Sequence, residues 1–544
     1  MTTPQHNRRF DLWSFGAMVI AAIVLLPICA VLILALGAET DFWAHLWNST
    51  LPRYLRGSFV LMTSVGVGTA LVGTGTAWLI SRYDFALRRW LEWLLLLPLA
   101  IPAYIGAYAL VDFYEYAGPV QTGLRQIFGW QTSRDYWFFE PRSMGAAIVV
   151  MTAALYPYVY LLARNAFRDQ SSDMDQVARS LGRGAWSRFW RIGLPLARPA
   201  IVAGVAIVMM ETVNDFGTVD YFAVQTLTTG IFSVWLEANN AGGAAQLSSL
   251  VLGLAVLLVL TEKASRRKAR FFELSRQHRP AARHALTGMA AFGAMVICLL
   301  PVLIGFVQPV AVLASHAFAA ADQWRDAGLI RALWHTISVG GIAAVLSVTA
   351  GVFLVYAVRL SGSAWPRLFM PITTIGYAAP GAVLGVGVLL PMAALDHWLA
   401  DRIEAVFGID TGLVLTGTAA ALILAYCVRF FAIAQGAADA AMGRISPSLG
   451  MAARSLGRRP RGVLAQVYYP LMRASLGSAL LLVFVDCVKE LPATLLLRPF
   501  NYDTLATRVY EQASLENIGQ AAPAALIVIA VGLCAVGLLA RASR

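Results

Sequence analysis

The chain has 544 residues, of which 58% are hydrophobic and 13% charged, with a mean hydropathy of +0.66 and a formal charge of +12. Apolar runs of about 20 residues, the helix length that crosses a hydrocarbon core, recur too often for a single soluble core. Five cysteines without a CxxC and seven histidines without an HxxxH argue against a disulfide framework or a metal site built from sequence neighbours.

Twelve membrane helices are expected, at about 13–37, 57–80, 91–111, 144–163, 197–217 and 244–260, then 286–313, 333–358, 369–391, 412–433, 474–491 and 521–540. The first is too long for a secretory signal and has no small-residue cleavage site before Glu39, so it is expected to stay in the membrane. With the N-terminus inside, the segments 81–90, 164–198, 261–285, 359–367, 429–473 and both chain ends hold 31 of the 42 Lys and Arg. Positive residues collect on the cytoplasmic side, which puts both termini there. The acids Asp396, Asp401, Glu404 and Asp410 fall on the opposite side. The basic charge is thus a topology signal and carries no case for a nucleic-acid partner. Pro98 and Pro102 in the third run, and Pro371 and Pro380 in the ninth, are expected to kink their helices. Tyr104, Tyr108 and Tyr377 offer phenolic oxygens or simple packing, and GAVLG (381–385) allows close helix approach.

The basic stretch 261–285 joins two halves, 1–260 and 286–544, that repeat each other. Residues 175–199 (DQVARSLGRGAWSRFWRIGLPLARP) match 450–474 (GMAARSLGRRPRGVLAQVYYPLMRA) at an offset of 275. The expected fold is therefore an all-α integral membrane protein of twelve helices in two parallel six-helix repeats, with a pathway between the halves. In each copy, ARSLG fits a helical turn closed by a left-handed glycine, Gly182 or Gly457. A second short helix should run through Ile192 or Val467, and Pro195 or Pro470, thirteen residues after the glycine, should break it. A loop that only sets topology would explain the arginines but not this repeated spacing.

The same offset aligns METVNDFG (210–217) with VDCVKELP (485–492). Glu211 and Asp215, like Asp486 and Glu490, are four apart, which on one continuous helix puts each pair on a single face. Carboxylates in a span are costly and are candidates for lining a pathway; the alternative is a helix end emerging into water beside Lys489. As hard oxygen donors they would suit a hard cation such as ferric iron.

The two hairpins resemble the coupling loop of ABC importer permeases, written EAA, three residues, Gly, nine residues, Ile, one residue, Leu-Pro. Ala178, Gly182, Ile192 and Pro195 map onto it, as do Ala453, Gly457, Val467 and Pro470; Gln176 and Met451 replace the glutamate, and Tyr469 the second leucine. The segments 211–235 and 489–514 are similar to those of fused, two-repeat permeases of ferric-iron importers. The resemblance implies a permease, not an enzyme, in the bacterial inner membrane. It implies two copies of a cytoplasmic ATP-binding subunit and a periplasmic iron-binding protein as partners. No GxxxxGK[ST] phosphate loop occurs, so this chain is expected to bind no cofactor and to leave ATP to its partners. A permease for thiamine or a polyamine, and a twelve-helix secondary transporter, stay open as alternatives.

Overall fold

The computed structural model describes residues 12–37, 40–170, 177–178, 180–269, 283–360, 365–374, 376, 379–409 and 412–542. Gln176, Arg179, Tyr377, Asp410 and linker residues 270–282 lie outside the described residues.

Among the described residues, 11 helices are long and apolar enough to cross a membrane, and 12 when one bent pair, Arg88–Ala100 and Ala103–Phe128, counts as a span. A backbone in hydrocarbon has no water to bond to, so the apolar runs satisfy themselves as helices. Of the four prolines expected to kink helices, Pro98, Pro102 and Pro380 lie at breaks, where the missing donor is tolerated, whereas Pro371 sits inside the short helix Trp365–Thr373. The bent pair turns by 95°, with Pro98 in a short 3-10 turn and Pro102 capping Ala103–Tyr114. In the ninth run two separate helices stand where one kinked helix was expected. Pro380 caps a helix at Gly381–Phe407, preceded by a separate short helix Trp365–Thr373, so the span lies later than 369–391. Among the described residues, a parallel pair of two-residue strands forms as well, β1 (Tyr83–Asp84) and β2 (His284–Ala285).

The compact units cut across the sequence repeats. One unit comprises 1–45, 231–252 and 326–508; the other comprises 46–230, 253–325 and 509–544. The opening helix of each half therefore packs among helices of the other half. In the first unit, Leu12–Gly37 lies on Gly381–Phe407, where Gly387 admits the Pro27 carbonyl so closely that a Cβ would strike it. Trp13 stacks on Phe353 with ring centroids 5.0 Å apart. In the second unit, the Gly288–Ala319 run packs on Ala103–Tyr114 and on Ile518–Ala542. Gln308 Nε2 donates to the Ala109 carbonyl at 2.9 Å, and His316 Nε2 pairs with Asp112 Oδ2 at 2.8 Å. GAVLG behaves as expected: Gly385 packs against Leu496, and Gly381 against Glu490 and Arg429.

Cys298 and Cys487 are buried, Cys427 is half-buried and Cys29 and Cys534 are exposed, and all five are free thiols. Asp396, expected near the outer surface, is buried. Its carboxylate accepts from the Val414, Leu415 and Thr416 amides at 2.8–3.0 Å and so closes the loop after its own helix.

Gly387→Val is predicted to lower the stability of the detergent-purified protein by about 1–3 kcal/mol, because overpacking must push the first helix away. The apparent melting temperature is the measurement; an unchanged midpoint would mean that the Leu12–Gly37 helix is not held at Gly387.

Candidate functional site

The hairpins are built alike. Gly182 has φ +71° and Gly457 φ +80°, a conformation that glycine adopts without Cβ strain. The amide of Arg183 donates to the Ala178 carbonyl at 3.0 Å, and that of Arg458 to the Ala453 carbonyl at 3.1 Å. This six-to-one bond is the Schellman closure of a helix end. The residue before each glycine, Leu181 or Leu456, is 72% or 83% exposed. Ala178 is buried and Ala453 half-buried beneath it. Each hairpin therefore presents a leucine and arginines on a tight turn, a shape suited to a groove with apolar and acidic walls.

Beyond the turn the structure departs from expectation. Pro195 and Pro470 do not break the second short helix. Ala185–Arg188 continues through a π-turn, Phe189–Gly193, into Leu194–Asn214, and Pro460–Val463 continues through Leu464–Tyr468 into Tyr469–Lys489. The wider π-turn accommodates the proline ring and its missing N–H, so the helix goes on. Ile192 and Val467 lie half-buried in these turns, while Pro195 and Pro470 are exposed.

Side chains from earlier helices tie both hairpins down, and sequence reasoning did not find them. Gln170 Nε2 donates to the Gly193 carbonyl at 2.9 Å, and its Oε1 accepts from Arg82 Nη2 at 2.5 Å. In the other copy, the Tyr356 hydroxyl donates to the Pro460 carbonyl at 2.7 Å. Arg359 donates to the Met442 and Ile445 carbonyls at 2.6 and 2.7 Å.

The acids occupy the far ends of the same spans, but not as two pairs on continuous faces. Leu194–Asn214 ends before Asp215, and Tyr469–Lys489 ends before Glu490. Both residues turn extended, with ψ of 133° and 119°, and aim their carboxylates at the next short helix. Asp215 accepts from the Thr218 amide at 2.9 Å and the Thr218 hydroxyl at 3.0 Å. Glu490 accepts from the Ala493 amide at 3.0 Å and pairs with Arg429 Nε at 3.1 Å. Both are thus helix-capping residues, while Glu211 and Asp486 sit half-buried within their spans. Arg429, which charge counting put in the cytoplasm, lies inside Ala420–Gly443. The proline of ELP (490–492) was the available sign that the helix stops there. Among the described residues, no three His, Cys, Asp or Glu side chains gather where they could hold a metal ion.

The family described as "Binding-protein-dependent transport system inner membrane component" matches residues 69–270. The chain is 24% identical to the Fe(3+)-transport system permease protein FbpB 2 of Haemophilus influenzae, across 95% of this chain and 96% of that one. It is 22% identical to the putative ferric transport system permease protein FbpB 1 of the same organism, across 86% and 73%. It is 25% identical to the sulfate transport system permease protein CysT of Escherichia coli, but across only 44% of this chain and 87% of that one.

Asp215→Ala is expected to cost about 1 kcal/mol, as for other lost caps, and Asp215→Asn much less. Removing one member of the buried pair, by Glu490→Gln or Arg429→Met, is expected to cost about 3–5 kcal/mol, and removing both much less than the sum. A thermal-denaturation double-mutant cycle measures this. Additive losses would show that the pair does not act as a unit.

Proposed function

From the match of residues 69–270 to the binding-protein-dependent transport family of inner-membrane permeases and the alignment of 95% of the chain with a ferric permease, we propose that this chain is such a permease and that the cargo it carries is ferric iron. It is a multi-pass membrane permease of an ATP-driven importer and works with a substrate-binding protein and ATPase subunits. The observation that carries the cargo is the span of the ferric relative, which aligns with 95% of this fused chain, whereas the sulfate permease aligns with 44% of it.

Two like hairpins imply two copies of the ATP-binding subunit, one for each exposed Leu-Gly turn, with Ala178, Gly182, Ile192 and Pro195, and Ala453, Gly457, Val467 and Pro470, as the coupling residues. Both termini lie in the cytoplasm, as the Lys and Arg distribution requires, and the iron-binding protein delivers from the other side. This chain binds no cofactor; ATP is bound and hydrolysed by its partners. ATP binding draws the hairpins together and opens the permease outward, and hydrolysis resets it.

A bare trivalent cation cannot cross hydrocarbon, because the cost of desolvation rises with the square of the charge. Side-chain oxygens must replace its ligands in turn. Glu211 and Asp486 lie within their spans, and they take that part, while Asp215 and Glu490 cap the short helices that follow.

The test is uptake of labelled Fe(III) by vesicles holding this chain with its ATPase and binding protein. Uptake should be saturable, ATP-dependent and insensitive to sulfate, molybdate, thiamine and polyamines, and Glu211→Gln and Asp486→Asn should each lower it several-fold without loss of the assembled complex. ATPase stimulation by one of those competitors, with no iron uptake, would replace iron as the cargo.

A further inference from the structure

We propose that Asp220, Tyr221, Tyr510 and Tyr108 form an all-oxygen site for Fe(III) on the permease itself. The proposal rests on the ferric reading above and gives that cargo a place to bind. The group lies at the end of the Leu194–Asn214 helix away from its hairpin, within one compact unit. Asp220 and Tyr221 belong to the short helix Gly217–Tyr221 that Asp215 caps, Tyr510 to Leu505–Ser514 and Tyr108 to Ala103–Tyr114.

The Tyr510 hydroxyl donates to Asp220 Oδ2 at 2.6 Å, bringing together residues 290 apart in sequence. The rings of Tyr108 and Tyr221 meet edge to face at 4.5 Å, and Tyr104 packs on Tyr108 at 5.9 Å. Tyr108 also lies within electrostatic range of Tyr510 and Asp220. Asp220 is exposed, Tyr221 and Tyr510 are half-buried and Tyr108 is 1% exposed, so the donors grade from solvent inward.

The Tyr108 hydroxyl is the observation that points to a ligand. It is buried and has no hydrogen-bond partner, a state that buried hydroxyls ordinarily avoid. A hard cation seeks oxygen donors, and a phenol becomes a strong one by losing its proton. For each phenolate formed, an O–Fe bond replaces an O–H bond, and the proton leaves to solvent; at Tyr510 it leaves by way of the exposed Asp220 carboxylate beside it. Arg142 lies over Tyr221 at 5.2 Å, but its charge is matched by Glu516 at 2.8 Å and Glu115 at 3.5 Å.

The test uses the complete importer in proteoliposomes with labelled ferric nitrilotriacetate, and the same purified complex for absorption. Tyr108→Phe removes only an unpartnered hydroxyl, so the fold should not suffer. Tyr108→Phe, Tyr510→Phe and Asp220→Asn should each lower iron uptake several-fold. Iron added to the wild type should produce a visible phenolate-to-iron charge-transfer band that weakens in the two Phe variants. Wild-type uptake and absorption in both Phe variants would overturn the site while leaving the cargo reading intact. A wild type that imports no iron would overturn the cargo reading, and absence of the band would then overturn the site as well.

Discussion

A backbone inside hydrocarbon must satisfy its own hydrogen bonds, and this chain is shaped by how it does so wherever a helix has to stop. Pro102 and Pro380 start new helices after a break without leaving a donor unmet. Asp215 and Glu490 end one helix and cap the next. At Pro195 and Pro470 the chain solves the opposite problem, since a π-turn lets the helix continue past a residue that would ordinarily end it. Each of these pairs has one member in each half, and a further π-turn, Leu303–Val307, carries the Gly288–Ala319 run past Pro309.

The consequence for function is mechanical. Because the π-turns carry the second hairpin helix without interruption into a 30-residue span, the exposed turn at one end and the capping acid at the other flank a single rod. Gln170 with Arg82 holds one rod and Tyr356 the base of the other, while Arg359 secures the end of Ala420–Gly443 just before the second hairpin. In the proposed importer, a force applied by an ATPase at Leu181 or Leu456 would therefore reach the acid-bearing end with little lost to bending. The exchange of the opening helices adds a second constraint, since each compact unit is completed by sequence from the other half.

Much of this was legible in the sequence because it depends on local chemistry. Apolar runs gave the spans, and a glycine thirteen residues before a proline, twice, gave the left-handed turns. What could not be read depends on contacts between distant residues. Four-residue spacing of Glu211 and Asp215 suggests a helix face, and only the extended backbone at Asp215 makes it a cap. Arg429 reads as a cytoplasmic charge until Glu490 is found beside it, 3.1 Å away. Tyr510 and Asp220 belong to opposite halves, and no local pattern joins them. The packing of the Leu12–Gly37 helix on Gly387 is a matter of shape, which periodicity does not encode.

The most direct measurement of the central claim, that the two hairpins couple this permease to its ATPases, is the number of cargo ions imported per ATP hydrolysed by importers carrying Gly182→Val or Gly457→Val. Nothing lies within 4 Å of a Cβ at either position, so valine perturbs the turn alone, by about 1–2 kcal/mol for the left-handed conformation. The account predicts a several-fold fall in ions imported per ATP in each variant. An unchanged ratio in both would contradict it.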